Sequence, residues 1–193
     1  MKTRLNGRAF MVRFADDAVL VFERREDAER VMAVLPKRFE KYGLTLHPEK
    51  TRLVNFKRPC DQRVTNDEPA TFKFLGFLHY WTKSIQGYWV IKRKTATERF
   101  SRSLKRLNQW LREVMHQPIS EQHKTLCSKI RGHIQYYGIT GNSEAVGDFV
   151  YWVGRCWKKW LSRRSNSSNN TWEWFNSLIE RFPLPVAKII HSC

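Results

Sequence analysis

The sequence predicts an α+β protein in which strands around one helix come first and helices alone follow. Three observations carry that expectation. Up to about residue 92, β-branched and aromatic runs of strand length are bounded by turn residues. Within them lies one stretch whose apolar positions recur at helical spacing. From residue 95 onward helical spacing takes over throughout. A hydrophobic fraction of 41% in 193 residues is enough to bury a core and argues against disorder. The expected divisions are 1–92, a helical domain over 93–164, and a linker with a C-terminal helix and tail over 165–193.

Ala9–Ala15 and Ala18–Glu23 read as two strands joined by a tight turn at Asp16-Asp17. From Arg24 to Tyr42 the period changes: Ala28, Val31, Met32, Leu35 and Phe39 share one helical face. Glu26 and Asp27 fall in the first turn, where the helix dipole favours acids. Pro36 predicts a kink, and Gly43 ends the helix as a left-handed C′ residue. Leu44–Leu46 and Arg52–Phe56 are expected to be short strands around a turn at His47–Lys50. Residues 57–70 read as a loop, and Phe72–Trp81 with Gly87–Ile91 as a final hairpin.

Thr95-Ala96-Thr97-Glu98 has the form of a capping box. Behind it Phe100, Leu104, Leu107, Leu111 and Met115 make one apolar stripe that Pro118 closes. Further helices are expected from Ser120 to about Tyr137 and from Ser143 to about Ser162. Ser165–Asn170 reads as a polar linker, after which Thr171 caps a short last helix.

Charge bounds the partner. Thirty-five Lys and Arg stand against 18 acidic residues, a net +17. That excess suits a polyanion, because each phosphate neutralised releases condensed counterions. It is uneven: residues 1–90 carry 17 basic and 11 acidic side chains (+6), residues 91–193 carry 18 and 7 (+11). The second half is therefore expected to grip nucleic acid. Cys60, Cys127, Cys156 and Cys193 show no metal-ligand or disulfide-framework spacing, which fits reduced thiols. No apolar run reaches the roughly 20 residues of a membrane span, and the basic start lacks the form of a signal peptide. The expectation is a cytoplasmic protein with no membrane partner.

The sharpest chemical feature is Phe14-Ala15-Asp16-Asp17. Two adjacent carboxylates at a hairpin turn can be presented rigidly to divalent metal. Nucleotidyl transfer needs such ligands, since two Mg²⁺ ions about 4 Å apart stabilise the attacking and leaving oxygens. Strand neighbours point to opposite faces, so Asp16 is read as the direct ligand and Asp17 as its support. Taken alone, such a pair is more often an acidic turn without metal.

The order of the blocks adds a resemblance. Arg13-Phe14-Ala15-Asp16-Asp17-Ala18-Val19-Leu20 resembles the catalytic-aspartate block of group II intron reverse transcriptases, with Phe where many have Tyr. Gly43–Thr51 resembles their next block, and Phe74-Leu75-Gly76-Phe77 the hairpin after it. Ile130–Gly138 is similar to the maturase-specific thumb signature. Trp157–Arg164 and Arg181–Pro185 look like the end of bacterial members. The resemblance implies a partial reverse-transcriptase palm followed by an all-helical thumb. It also implies an RNA-directed DNA polymerase and maturase of a retroelement, binding group II intron RNA or an RNA/DNA hybrid.

By the same resemblance Asp16 and Asp17 would bind catalytic Mg²⁺. Lys50 would lie near the incoming nucleotide's phosphates as a proton donor to pyrophosphate, a solvated turn lysine being the alternative. Phe74, Leu75, Gly76 and Phe77 would hold the primer end. One departure matters: no acidic residue precedes Asp16, so the upstream metal-binding aspartate of these polymerases has no counterpart in the sequence. The chain is thus expected to bind Mg²⁺ weakly and not to polymerise alone. It would be an RNA-binding fragment, half of a split enzyme active with a fingers-bearing polypeptide, or a self-associating remnant without function.

For RNA contact the expected residues are Arg131, Arg155, Lys158, Lys159, Arg163 and Arg164, then Arg102, Lys105 and Arg106. Phe149, Trp152, Val153, Cys156 and Trp160 fall at helical spacing and are read as core, so the charges and not the tryptophans are expected to touch RNA. His133 is read as packed.

Overall fold

The computed structural model describes residues 5–59, 70–164 and 171–192. It is α+β, with two small antiparallel-type sheets and five helices among the described residues. The order is β1 (Ala9–Phe14), β2 (Asp17–Phe22), α1 (Arg25–Glu40), β3 (Phe72–Phe74), β4 (Phe77–Lys83) and β5 (Trp89–Thr95). The helices α2 (Thr97–Glu113), α3 (Ile119–Tyr137), α4 (Ser143–Leu161) and α5 (Trp172–Arg181) follow. Two compact units result: Met1–Leu75 with His79–Ile91, and Gly76–Leu78 with Lys92–Cys193.

In the first unit β1 and β2 pair antiparallel from Ala9↔Phe22 to Phe14↔Asp17. That register puts the two-residue turn at Ala15-Asp16, one position earlier than the sequence suggested. Asp17 begins β2. Ala15 carries the turn with a left-handed φ of 49°. Below the hairpin Asp27 is buried at the start of α1 and accepts hydrogen bonds from the backbone N–H groups of Asn6 (3.0 Å) and Gly7 (2.9 Å). Burial pushes its carboxyl pKa up, but those two amides, with Arg30 and Arg24, more than offset this and hold it below the usual value.

α1 continues through Pro36. Its end is a Schellman motif: the Leu44 N–H donates to Phe39 O (3.1 Å) and the Gly43 N–H to Glu40 O (3.0 Å), with Gly43 at φ +66°. The turn at His47–Lys50 closes with the Thr51 N–H on His47 O (3.0 Å). The expected strands Leu44–Leu46 and Arg52–Phe56 are absent. A strand needs a hydrogen-bonding neighbour as well as a favourable composition, and these segments pair with no described strand. Phe56 packs instead as a side-chain anchor, edge-on to Phe72 (4.9 Å) and stacked on Trp81 (5.6 Å). Most of the expected loop 57–70 lies outside the described residues.

The run Phe72–Trp81 is not one strand. Leu75 (φ 50°) and Gly76 (φ 80°) make a two-residue turn that separates β3 from β4.

The second unit is built on the helical stripes. Leu107 and Leu111 of α2, Leu126, Ile130 and Ile134 of α3, and Val146, Phe149, Val153 and Trp157 of α4 form one buried core. α5 adds Phe175 and Leu178 to it. Both core indoles are matched: the Trp157 N–H donates to Gln122 Oε1 (3.0 Å), and the Trp160 N–H to Asn108 Oδ1 (2.8 Å). The capping box does not form. Buried Asn142 accepts from the Thr95 N–H (2.8 Å) and donates to the Thr95 hydroxyl (2.8 Å), which takes that side chain away from the helix end. Ala96 sits at the N-cap position of α2, with no side-chain cap. Pro118 opens α3 and does not close α2, which stops at Glu113. Thr171 does cap α5, its hydroxyl accepting from the Trp174 N–H (3.2 Å). The expected linker Ser165–Asn170 lies outside the described residues.

After α5 the chain returns to the α3–α4 connection. Ile190 and His191 donate to Gly138 O (2.7 and 3.0 Å), and the His191 ring meets Gln135 O (3.0 Å). Gly138 leaves no room for a side chain: a Cβ there would strike Ile134 O and come within 2.8 Å of Lys188 O.

Candidate functional site

Two sets of residues carry chemistry, one in each unit. In the first, both Asp16 and Asp17 are exposed at the tip of the β1–β2 hairpin. The tip is braced by Arg13, whose Nε donates to Ala15 O (2.9 Å). Among the described residues neither carboxylate pairs with Lys50, which is exposed in its own turn. The flanking strands are apolar and open. Phe10, Val12 and Phe14 alternate onto one face with cross-strand Val21, and their exposures run from 52% to 66%. Met11, on the other face, is equally open.

Two carboxylates are the right donors for a hard cation, since Mg²⁺ is often held by one or two of them with substrate phosphates completing its shell. Among the described residues no group of three or more His, Cys, Asp or Glu is placed to hold a metal.

Phe74, Leu75, Gly76 and Phe77 form the tight β3–β4 turn and are all half-buried. Phe77 packs on Tyr136 (5.9 Å) and edge-on to Tyr137 (5.3 Å). A Cβ on Gly76 would lie 3.0 Å from the Tyr137 hydroxyl, which would have to shift slightly, and the φ of +80° is what favours glycine there.

In the second unit the basic residues singled out from sequence are distributed over three helices. Arg102, Lys105 and Arg106 are exposed on α2, Arg131 on α3, and Arg155 and Lys159 on α4, with Lys158 half-buried. Arg163 follows α4 and stacks over Trp160 (5.0 Å), as Lys159 does (5.2 Å). Arg164 reaches His116 O (3.4 Å). Arg106 and Lys129 line an open cleft of about 280 Å³ with Ser103, Leu107, His133 and Phe149. His133 is packed, its ring stacked on Phe149 at 3.5 Å, and burial lowers its pKa to about 4. Its Nε2 has no hydrogen-bond partner among the described residues.

The tryptophans divide differently from the sequence expectation. Trp157 and Trp160 are core, whereas Trp152 is 44% exposed. Beside it stand Tyr151 (55% exposed) and, from α5, Trp172 (49%). The Arg155 guanidinium lies 5.5–5.7 Å from all three ring centres and donates to the Tyr151 hydroxyl (2.8 Å). Lys158 Nζ lies 4.7 Å from Trp172. The i, i+3 and i, i+4 spacings of Trp152 and Tyr151 to Arg155 were visible in the sequence. The approach of Trp172 was not.

Residues 1–79 match the reverse transcriptase (RNA-dependent DNA polymerase) family. The matched residues include Asp16, Asp17, Lys50 and Phe74–Phe77, so every residue read as polymerase chemistry falls within the match. No curated protein matches the chain. Among the described residues, no helix is long and apolar enough to cross a membrane.

Proposed function

We propose that this chain is part of a group II intron-encoded reverse transcriptase and maturase, and that its helical unit binds the intron RNA. The observation that carries the reading is the reverse-transcriptase match over the aspartate hairpin, followed by a mostly helical half-chain of net charge +11. Phosphate neutralisation by Arg131, Arg155, Lys158, Lys159, Arg163 and Arg164 is the binding chemistry, with Arg102, Lys105 and Arg106 extending it. Asp16 and Asp17 are the Mg²⁺ ligands of the parent activity. Polymerisation belongs to a larger assembly that supplies a further carboxylate and the nucleotide-binding surface.

The test is binding of the purified chain to a structured group II intron RNA over a salt titration, with an unrelated RNA of equal length as competitor. Binding that survives the competitor, and falls when Arg131, Lys158 and Lys159 are all changed to Gln, is the expected result. Equal collapse for both RNAs as salt rises would reduce the interaction to charge alone. Unchanged affinity in the triple variant would remove the helical unit from the interface, and primer extension by this chain alone would overturn the assignment of polymerisation.

A further inference from the structure

We infer that Tyr151, Trp152 and Trp172, gathered around Arg155, form a stacking site for unpaired RNA bases. The inference rests on the RNA-binding reading above and adds the form of RNA recognised, which is single-stranded.

Exposed aromatic rings are the first ground. Trp157 and Trp160 of the same helix are buried with their N–H groups satisfied, so α4 already has its share of core rings. Tyr151, Trp152 and Trp172 are left between 44% and 55% open, on the opposite side of α4 from Val153 and Trp157 and on the adjoining end of α5. Tyr151 and Trp152 meet edge to face at 5.5 Å, which leaves ring faces available to a third plane.

Charge is the second. A guanidinium 5.5–5.7 Å from three ring centres is itself a planar surface on which a base can stack, and its remaining N–H groups can meet a phosphate. Lys158 places an ammonium 4.7 Å from the Trp172 ring centre, and Lys159 is exposed one residue on. Rings with cations beside them suit a single strand, whose bases can stack while its phosphates are neutralised. A duplex keeps its base faces inside the stack and offers such a site only its phosphates. The cluster therefore separates the two forms, which a merely basic patch would not.

The experiment compares two labelled probes of equal phosphate count, a uridine oligonucleotide and an RNA duplex, titrated with the full chain by fluorescence anisotropy. Replacing both Trp152 and Trp172 by Leu keeps apolar bulk and removes the planes. We expect single-strand affinity to fall on the order of tenfold or more while duplex affinity moves less than about twofold. Phe at both positions should restore most of the loss. If the Leu variant binds both probes as the parent does, or loses both equally with an unchanged thermal melt, the stacking site is refuted and the RNA-binding reading stands. A parent chain that binds neither probe would refute that reading as well. Should the Leu variant melt early, Arg155→Gln alone serves: selective loss of single-strand binding supports the site, and equal loss refutes it.

Discussion

The hairpin and the helical unit solve the same packing problem to different extents. In the helical unit Leu111, Leu126, Ile130, Val146, Val153 and Trp157 are fully enclosed, and the Trp157 indole N–H finds its partner in Gln122. In the hairpin Phe10, Met11, Val12 and Phe14 stand more than half open, on both faces of a two-stranded sheet. A lone hairpin is marginal in water, and this one is held at its base by buried Asp27 and beside it by α1. The difference teaches that a complete core and a chemically suggestive motif need not coincide. The part that carries the paired aspartates is the part that leaves its apolar surface uncovered.

Truncating the centre of the closed core should have the largest effect. Trp157→Ala removes a ring with no exposed surface and leaves Gln122 Oε1 without its donor, so it should cost about 3–5 kcal/mol. A urea melt followed by far-ultraviolet circular dichroism measures it, and a loss below about 1 kcal/mol would contradict the contrast drawn above.

Acid should act next, and on the same unit. Burial lowers the His133 pKa from 6.5 to about 4, so as pH falls the unfolded chain takes up this proton first. Stability from the neutral imidazole is complete above pH 6.5 and drains away between there and about 4. The shift corresponds to on the order of 3 kcal/mol. His133→Phe, which keeps the stack on Phe149, should flatten that part of the pH–stability curve. An unaltered slope would place the acid sensitivity elsewhere.

The smallest folding effect belongs to the open hairpin. Phe10→Thr with Phe14→Thr exchanges exposed rings for β-branched polar residues and should change stability by less than about 0.5 kcal/mol. Self-association, measured by sedimentation velocity, should decrease, because large exposed apolar patches promote it. A strong destabilisation would mean that these rings are structural.

Much of the helical unit was legible because 3.6-residue periodicity is a local signal. The stripe from Phe100 to Met115 needs only its own helix to be read, and Gly43 needs only the local rule that a left-handed C′ residue ends a helix. What failed depends on distant partners. Leu44–Leu46 and Arg52–Phe56 have strand composition but no neighbour to pair with. The Thr95 hydroxyl was claimed by Asn142, far along the chain. Trp152 and Trp160 fit one spacing pattern, yet Trp160 is buried with its N–H on Asn108 of α2 while Trp152 stays 44% exposed. At the aspartates the residues were plain in the sequence, while the one-position shift of the turn was not, because it is set by cross-strand register and the left-handed Ala15.

Gly138 shows how far such dependence can reach. The C-terminal tail is received at that residue's carbonyl, against a surface that any side chain would obstruct. The resting place of the tail is therefore encoded well before the tail itself. During synthesis the receiving groove can exist before its occupant emerges. A substitution at Gly138 would leave every tail residue intact and still dislodge them.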